Sequence, residues 1–487
     1  MNEKPNILWL TTDHHIFANH YDFQPEYEGR LKTLESLWEQ GRRYNQAYTV
    51  CPLCTPARAS MLTGLYPHKH GMLLNPDAKD PHQRKDFDDA EELFAASVKR
   101  SGYRVAQLGK WHVGNEKTPQ DLGFEGWSPP GYGAPLRSAK YGEYLKDKCL
   151  PAPVVKVLWN ASQPETAGKE FDLTELYNPF SAARELLTPK ETHEAYFVAD
   201  MACKWLDDYA TSRSNQPFVL KVDVWGPHHP YDTAVPFKGT VNAALLKEHP
   251  SFSEKYWNKP ANYALIKRYW DCISYMNWEQ MSQVLAVSYE HAMLVDDAMG
   301  RIVNKLASLS LEQNTVVILT ADHGDILSAH GGLFNKDALL VEETMKIPLA
   351  IKWPGKIEPG TVCEDLVTNM DIPATITSLC GAHPRYVMDG IDLLDGPRRE
   401  HVMCETTGCY KREFVQRMLR WKNYKYIAHF EDMDELYDLN ADPFELNNLI
   451  GNVEFSGVLS EMRRRLKREM MLLGDVHEEA GRILGQL

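Results

Sequence analysis

The chain has little of what marks a nucleic-acid or membrane protein. Among its 487 residues, Lys plus Arg number 53 against 67 Asp plus Glu, a net charge of −14. Such a balance argues against nucleic acid as a general partner. It does not forbid a small anion, which responds to the local field of its pocket. No apolar run approaches the length of a membrane span. The opening Met1-Asn2-Glu3-Lys4-Pro5 passes straight into strand-like Asn6-Ile7-Leu8-Trp9-Leu10, without the apolar region and cleavage site of a signal peptide. Nine irregularly spaced cysteines make no disulfide framework, so reduced thiols and a cytoplasmic location are expected. Repeats and low-complexity segments are missing too. What remains is a globular composition, 43% hydrophobic and 25% charged, on a chain long enough for two domains.

One pattern recurs along the chain: a short apolar run, then residues able to do chemistry. Ile7 to Thr12 leads into Asp13-His14-His15, and Tyr103 to Leu108 into Gly109-Lys110-Trp111-His112. Phe218 to Trp225 leads into Gly226-Pro227-His228-His229-Pro230, and Val316 to Thr320 into Ala321-Asp322-His323-Gly324-Asp325. Such runs between helical stretches (Leu31 to Gln40, Glu91 to Arg100, Thr192 to Tyr209, Ser282 to Leu309) predict buried parallel strands. Ligands of open α/β sheets bind beyond the carboxyl ends of the strands. Four runs therefore deliver carboxylates, imidazoles and amines to one candidate edge.

The chain is organised around Val50-Cys51-Pro52-Leu53-Cys54-Thr55-Pro56-Ala57-Arg58-Ala59-Ser60-Met61-Leu62-Thr63-Gly64. Proline is favoured at the first helical position. Cys54 is thus expected just before the first turn, where free N–H groups and the helix dipole suit anions and lower a thiol pKa. Arg58, four residues on, can fold back toward it. A redox or zinc role for Cys51-x-x-Cys54 has no second C-x-x-C to support it and leaves Arg58 and Leu62-Thr63-Gly64 unexplained.

Cys-x-Pro-x-Arg followed by Leu-Thr-Gly resembles the signature of the type I sulfatases, a branch of the alkaline phosphatase superfamily. The run Leu436-Tyr437-Asp438-Leu439 with Asp442-Pro443, Glu445 and Asn448-Leu449 is similar to that family's smaller C-terminal domain. The resemblance implies an α/β fold, a large mostly parallel sheet flanked by helices on both faces, with a smaller C-terminal α+β domain. A boundary near 380–400 divides the chain into 1–385, a catalytic domain with insertions at about 131–190 and 236–281, and 386–487.

The resemblance also implies a site. Cys54 would be oxidised to formylglycine by a maturation enzyme, and one divalent metal ion, calcium or manganese, would be held by Asp13, His14, residue 54, Asp322 and His323. His14 departs from the family's usual Asp and softens the site; His15 is an alternative ligand. Lys110 and His112 match a sulfate-binding Lys-x-His, Lys336 the second lysine, and His228 the histidine near the leaving group. Asn75 and His70 are candidates to line the pocket. One hydroxyl of the formylglycine hydrate would attack sulfur while Lys110, Lys336, Arg58 and the metal stabilise charge. His228, with Lys336, would protonate the departing alcohol, and His112 would deprotonate the second hydroxyl to expel sulfate.

The expected function is hydrolysis of a small sulfate ester (sugar, aryl or alkyl). Two alternatives stay open: a phosphonate monoester hydrolase or phosphodiesterase using the same nucleophile, suggested by Asp322-His323, and a non-catalytic binder of sulfated or phosphorylated ligands. The aromatics of 236–281, including Tyr256, Trp257, Tyr263, Trp270 and Tyr275, either stack on a substrate or form the core of an inserted helical pair. No membrane partner is expected, and a homo-oligomer is left open.

Overall fold

Ile7, Leu8, Trp9 and Leu10 are apolar at consecutive positions, so a strand built from them has two greasy faces and must lie between two layers. In the computed structural model they form strand β1 (Asn6–Asp13), buried along its whole length. The structure describes residues 4–76, 83–175, 182–212, 216–270, 275–409, 412–476 and 478–487. Leu8 and Leu10 pack into a core with helices α1 (Lys32–Gln40), α3 (Glu194–Thr211) and α4 (Trp278–Ser308). Ile7 and Trp9 face the opposite core, shared with α2 (Cys54–Thr63) and α5 (Asp371–Leu379).

The central sheet adds β2 (Arg42–Tyr44), β3 (Arg104–Gly109), β4 (Glu125–Trp127), β5 (Phe218–Pro227), β6 (Thr315–Ala321), β7 (Leu349–Lys352) and β8 (Thr361–Cys363). Its order is β8-β2-β7-β6-β1-β5-β3-β4. The block from β6 to β4 is parallel, and β7 runs antiparallel to both its neighbours. All four apolar runs singled out above are therefore strands of one sheet, with their chemistry-bearing residues at one edge.

The 131–190 insertion contains its own sheet. Strands Ala182–Leu186, Val154–Asn160 and Glu170–Asp172 line up behind Tyr231–Thr233, which follows β5. Within 236–270 the described residues hold one α-helix, Ala261–Tyr269; residues 271–274 lie outside them. The aromatics divide: Tyr263 and Trp270 are buried in the main core, whereas Trp257 and Tyr275 are exposed.

After residue 400, β9 (His401–Cys409), β10 (Arg412–Trp421), β11 (Tyr424–His429) and β12 (Glu435–Asp438) form an antiparallel meander. Helix α6 (Ser456–Leu473) covers it with Met462, Leu466 and Met470, one stripe at four-residue spacing. Arg417, inside β10, is fully buried against Asp475. No helix among the described residues is long and apolar enough to cross a membrane.

Candidate active site

Parallel pairing sets Thr12 beside Ala321, so Asp13 and Asp322 meet where β1 and β6 end. On the other side of β1, β5 contributes Asp223. All three carboxylates are fully buried. Like charges this close need cations between them. Arg58, reaching up from α2, supplies one: Nε donates to Asp322 at 3.0 Å, Nη1 to Asp223 at 3.0 Å and Nη2 to Asp13 at 3.3 Å. Lys110 donates to Asp13, and Lys221 and Gln107 donate to Asp223. Burial alone would raise Asp13, but Lys110, His228 and Arg58 hold it well below the usual carboxylate range. Burial, and then the charge of Asp13, pushes Asp322 up.

Lys110 reaches Asp13 because of Gly109. That residue has φ +89°, and a Cβ there would lie 1.9 Å from the Asp223 carbonyl oxygen, which instead accepts the Lys110 N–H at 2.8 Å.

Helix α2 begins at Cys54 itself, with Leu53 extended before it, and Pro56 is its third residue. The helix thus starts earlier than expected. Its first intrahelical hydrogen bond runs from Ala57 N–H to Leu53 O, so the N–H that Pro56 lacks would have had no partner within the helix. The Cys54 thiol, fully buried, stands 3.2 Å from Lys336 Nζ and 3.2 Å from His323 Nε2. His323 Nδ1–H donates to the Gly324 carbonyl at 2.9 Å, which turns the Nε2 lone pair toward the thiol. Lys336 also lies 3.3 Å from His228 Nε2, and His228 Nδ1–H donates to the His229 carbonyl at 2.6 Å.

Ligand atoms of Asp13, Cys54, Asp322 and His323 all lie within 4.8 Å of one another. Two carboxylates, an imidazole lone pair and the atom at position 54 suit one divalent cation. His14 stands beside this quartet. Its N–H donates to Asp322 at 3.0 Å, while its ring groups with His228 and His229 and places Nε2 3.5 Å from Asp325. Burial, and then Lys336, holds that ring well below the usual histidine range.

The remaining sequence candidates scatter. His112, with its Thr55-bonded carbonyl, presents a buried ring edge-on to Tyr132, whose face also carries Lys110 Nζ at 4.3 Å. Asn75 accepts the Thr55 N–H at 3.1 Å, capping α2. His70 bonds Ser60 at 3.1 Å, down the helix from Cys54, and His15 turns away to Thr12 and Tyr27. Arg58 directs its guanidinium to the carboxylates. Sequence inspection missed Asp223 and Tyr132, and gave Asp325, beyond the β6 run, no role in the site. The signal for Asp223 was present: Lys221 and Asp223 are charges inside an otherwise apolar strand.

A model of the sulfatase family matches residues 5–382, and one of the N-sulphoglucosamine sulphohydrolase C-terminal region matches 329–471. The chain is 27% identical to an ulvan-active sulfatase of Formosa agariphila, over 97% of its own length and 82% of the relative's. It is 25% identical to an N-acetylglucosamine-6-O-sulfatase of Bacteroides thetaiotaomicron, covering 96% and 86%. The phosphonate monoester hydrolase of Agrobacterium radiobacter shares the fold, with a TM-score of 0.71 at 19% identity over 97% and 96% of the two chains. The chain belongs to the sulfatase family, and it is a sulfuric ester hydrolase.

Proposed function

We propose that the protein hydrolyses a small sulfate ester at Cys54, matured to formylglycine by a dedicated enzyme. One observation carries this: the residue-54 side chain meets Lys336 and His323 at 3.2 Å each, at the start of a buried helix, over Asp13 and Asp322.

The modification supplies a hydrated aldehyde, one hydroxyl to attack sulfur and another whose proton can be removed to release sulfate. A divalent cation, calcium or manganese, would be held by Asp13, Asp322, His323 and residue 54, with His14 alongside, and would supply Lewis acidity at the attacking hydroxyl. Lys336 and Lys110 hold the charge of the transferring group. Arg58 acts through the carboxylates it binds. His228 has its tautomer set by the His229 carbonyl, so Nε2 faces Lys336, and a proton can pass from Lys336 through that nitrogen to the leaving oxygen. His112, a buried and neutral ring whose pKa is lowered first by burial and then by Lys110, is the base toward residue 54. The division at 385/386 and a cytoplasmic location belong to the same proposal.

Three measurements test it. Peptide mass quantifies conversion at position 54, and metal content is read on the same sample. kcat/KM for an aryl sulfate is then compared with that for an aryl phosphonate monoester, with Cys54→Ala as control. Preference for sulfate, abolished by Cys54→Ala, is expected. Preference for the phosphonate ester would transfer the chain to the second reading, which Asp322-His323 favours.

A further inference from the structure

Strand β5 is buried along its whole length, yet it carries two charges, Lys221 and Asp223, two residues apart and so on the same face. Lys221 Nζ donates to both Asp223 oxygens at 2.5 Å and lies over the Trp9 ring, 4.6 Å from its centre. Gln107 Nε2 donates to Asp223 at 2.6 Å. Two charges taken out of water recover that cost only when their geometry is good, and apolar side chains of similar size commonly hold such a place as well or better. Packing alone therefore does not account for the pair.

What the pair touches is Arg58, whose three nitrogens divide among three carboxylates: Nη1 to Asp223, Nε to Asp322 and Nη2 to Asp13. Asp13 and Asp322 belong to the quartet proposed to hold the divalent cation, and Asp223 does not. Arg58 and Lys110 therefore compete with that cation for Asp13 and Asp322. Asp223 draws part of the guanidinium charge away from them, and Lys221 in turn satisfies part of Asp223. All of these side chains are buried, so water and salt screen little of the interaction.

We infer that Asp223 and Lys221 set the affinity of the Asp13–Asp322 site for its divalent cation, as positioning residues that act through Arg58 from outside the ligand set. The inference rests on the cation reading and goes beyond it. Its sign follows from charge: Asp223 strengthens the hold on the cation, and Lys221 weakens it. Groups behind the ligands of a metal commonly change its affinity about 10–100-fold.

The test is a metal titration rather than an assay of turnover. Enzyme of known Cys54 conversion is stripped of metal and titrated with Mn²⁺ and with Ca²⁺ by equilibrium dialysis. Burial lowers Lys221 to about 8 against the opposing pull of Asp223, so the work is done at pH 7, where the ammonium is charged. Wild type, Asp223→Asn, Lys221→Met and the double variant are compared, with Asp13→Asn as the control for location and melting of the stripped proteins as the check on folding. Asp223→Asn should raise Kd about tenfold or more, Lys221→Met should lower it severalfold, and the double variant should fall between them. Damage to the fold loosens a site, so tighter binding by Lys221→Met is a result that packing cannot give, and it decides the question even if Asp223→Asn does not fold. A Lys221→Met protein that binds no tighter than wild type overturns the inference and leaves the cation reading standing. A wild type that binds neither ion, or a Kd unmoved by Asp13→Asn, overturns the cation reading itself and the inference with it.

Discussion

At the residue scale the site is a problem in charge balance. Buried carboxylates, lysines, an arginine and imidazoles share the edge of one sheet, and each is placed by a partner rather than by its own propensity. Lys336 stands out because it touches both Cys54 and His228. Lys336→Met should lower kcat/KM about 10²–10³-fold, the cost of removing one preorganised group that stabilises transition-state charge. Substrates with better leaving groups should lose less, which a series of substituted aryl sulfates would measure. Most of these residues could be read from the chain because each follows an apolar run directly. Asp223 shows in the sequence only as a charge inside an apolar run, and its purpose becomes visible once Arg58 is seen to reach it across the sheet. The direction of the His14 ring depends on a left-handed backbone (φ +58°), which no local pattern announces.

At the element scale the ends of β3, β5 and β6 do the positioning. The turn after β3 depends on Gly109 packing against the Asp223 carbonyl. Gly109→Ala should lower the melting temperature and depress kcat far more than KM for the aryl ester, since Lys110 cannot then keep its place over Asp13. Calorimetry and steady-state kinetics on one preparation would show both. Parallel strands and long amphipathic helices were easy to read from periodicity. The sheet inside 131–190 was not: its Ala182–Leu186 strand pairs with Tyr231–Thr233, nearly fifty residues on, and pairing at that distance leaves no trace in a local window.

At the scale of the whole molecule, the C-terminal meander reaches toward the site. Lys425 of β11, fully buried, bonds Glu342 and Glu445 at 3.1 and 2.8 Å, and Glu342 lies six residues after Lys336. Lys425→Met leaves two buried carboxylates uncompensated and should cost about 3–5 kcal/mol in denaturant unfolding. Nearby, His330 bridges Glu343 and Glu254. Burial would lower it, but Glu343 and Glu254 outweigh that and raise it to about 9. A folded-state pKa above the ordinary histidine value means that its stabilisation is complete below about pH 6.5 and fades as pH rises through 9. Unfolding free energy should therefore fall between pH 7 and 9.5, and His330→Gln should flatten that slope.

Every residue of the nucleophile helix from Cys54 to Thr63 is buried. Under the proposal that Cys54 is converted to formylglycine, an enzyme that must grip this segment to oxidise the thiol could not do so once the two layers have closed over it. Maturation is then a matter of timing, a race between conversion and folding as the chain emerges. The folded Cys54 form should resist conversion while the urea-unfolded chain accepts it, as peptide mass would report. The fraction of active enzyme in a cell would be set by folding speed as much as by the supply of the converting partner.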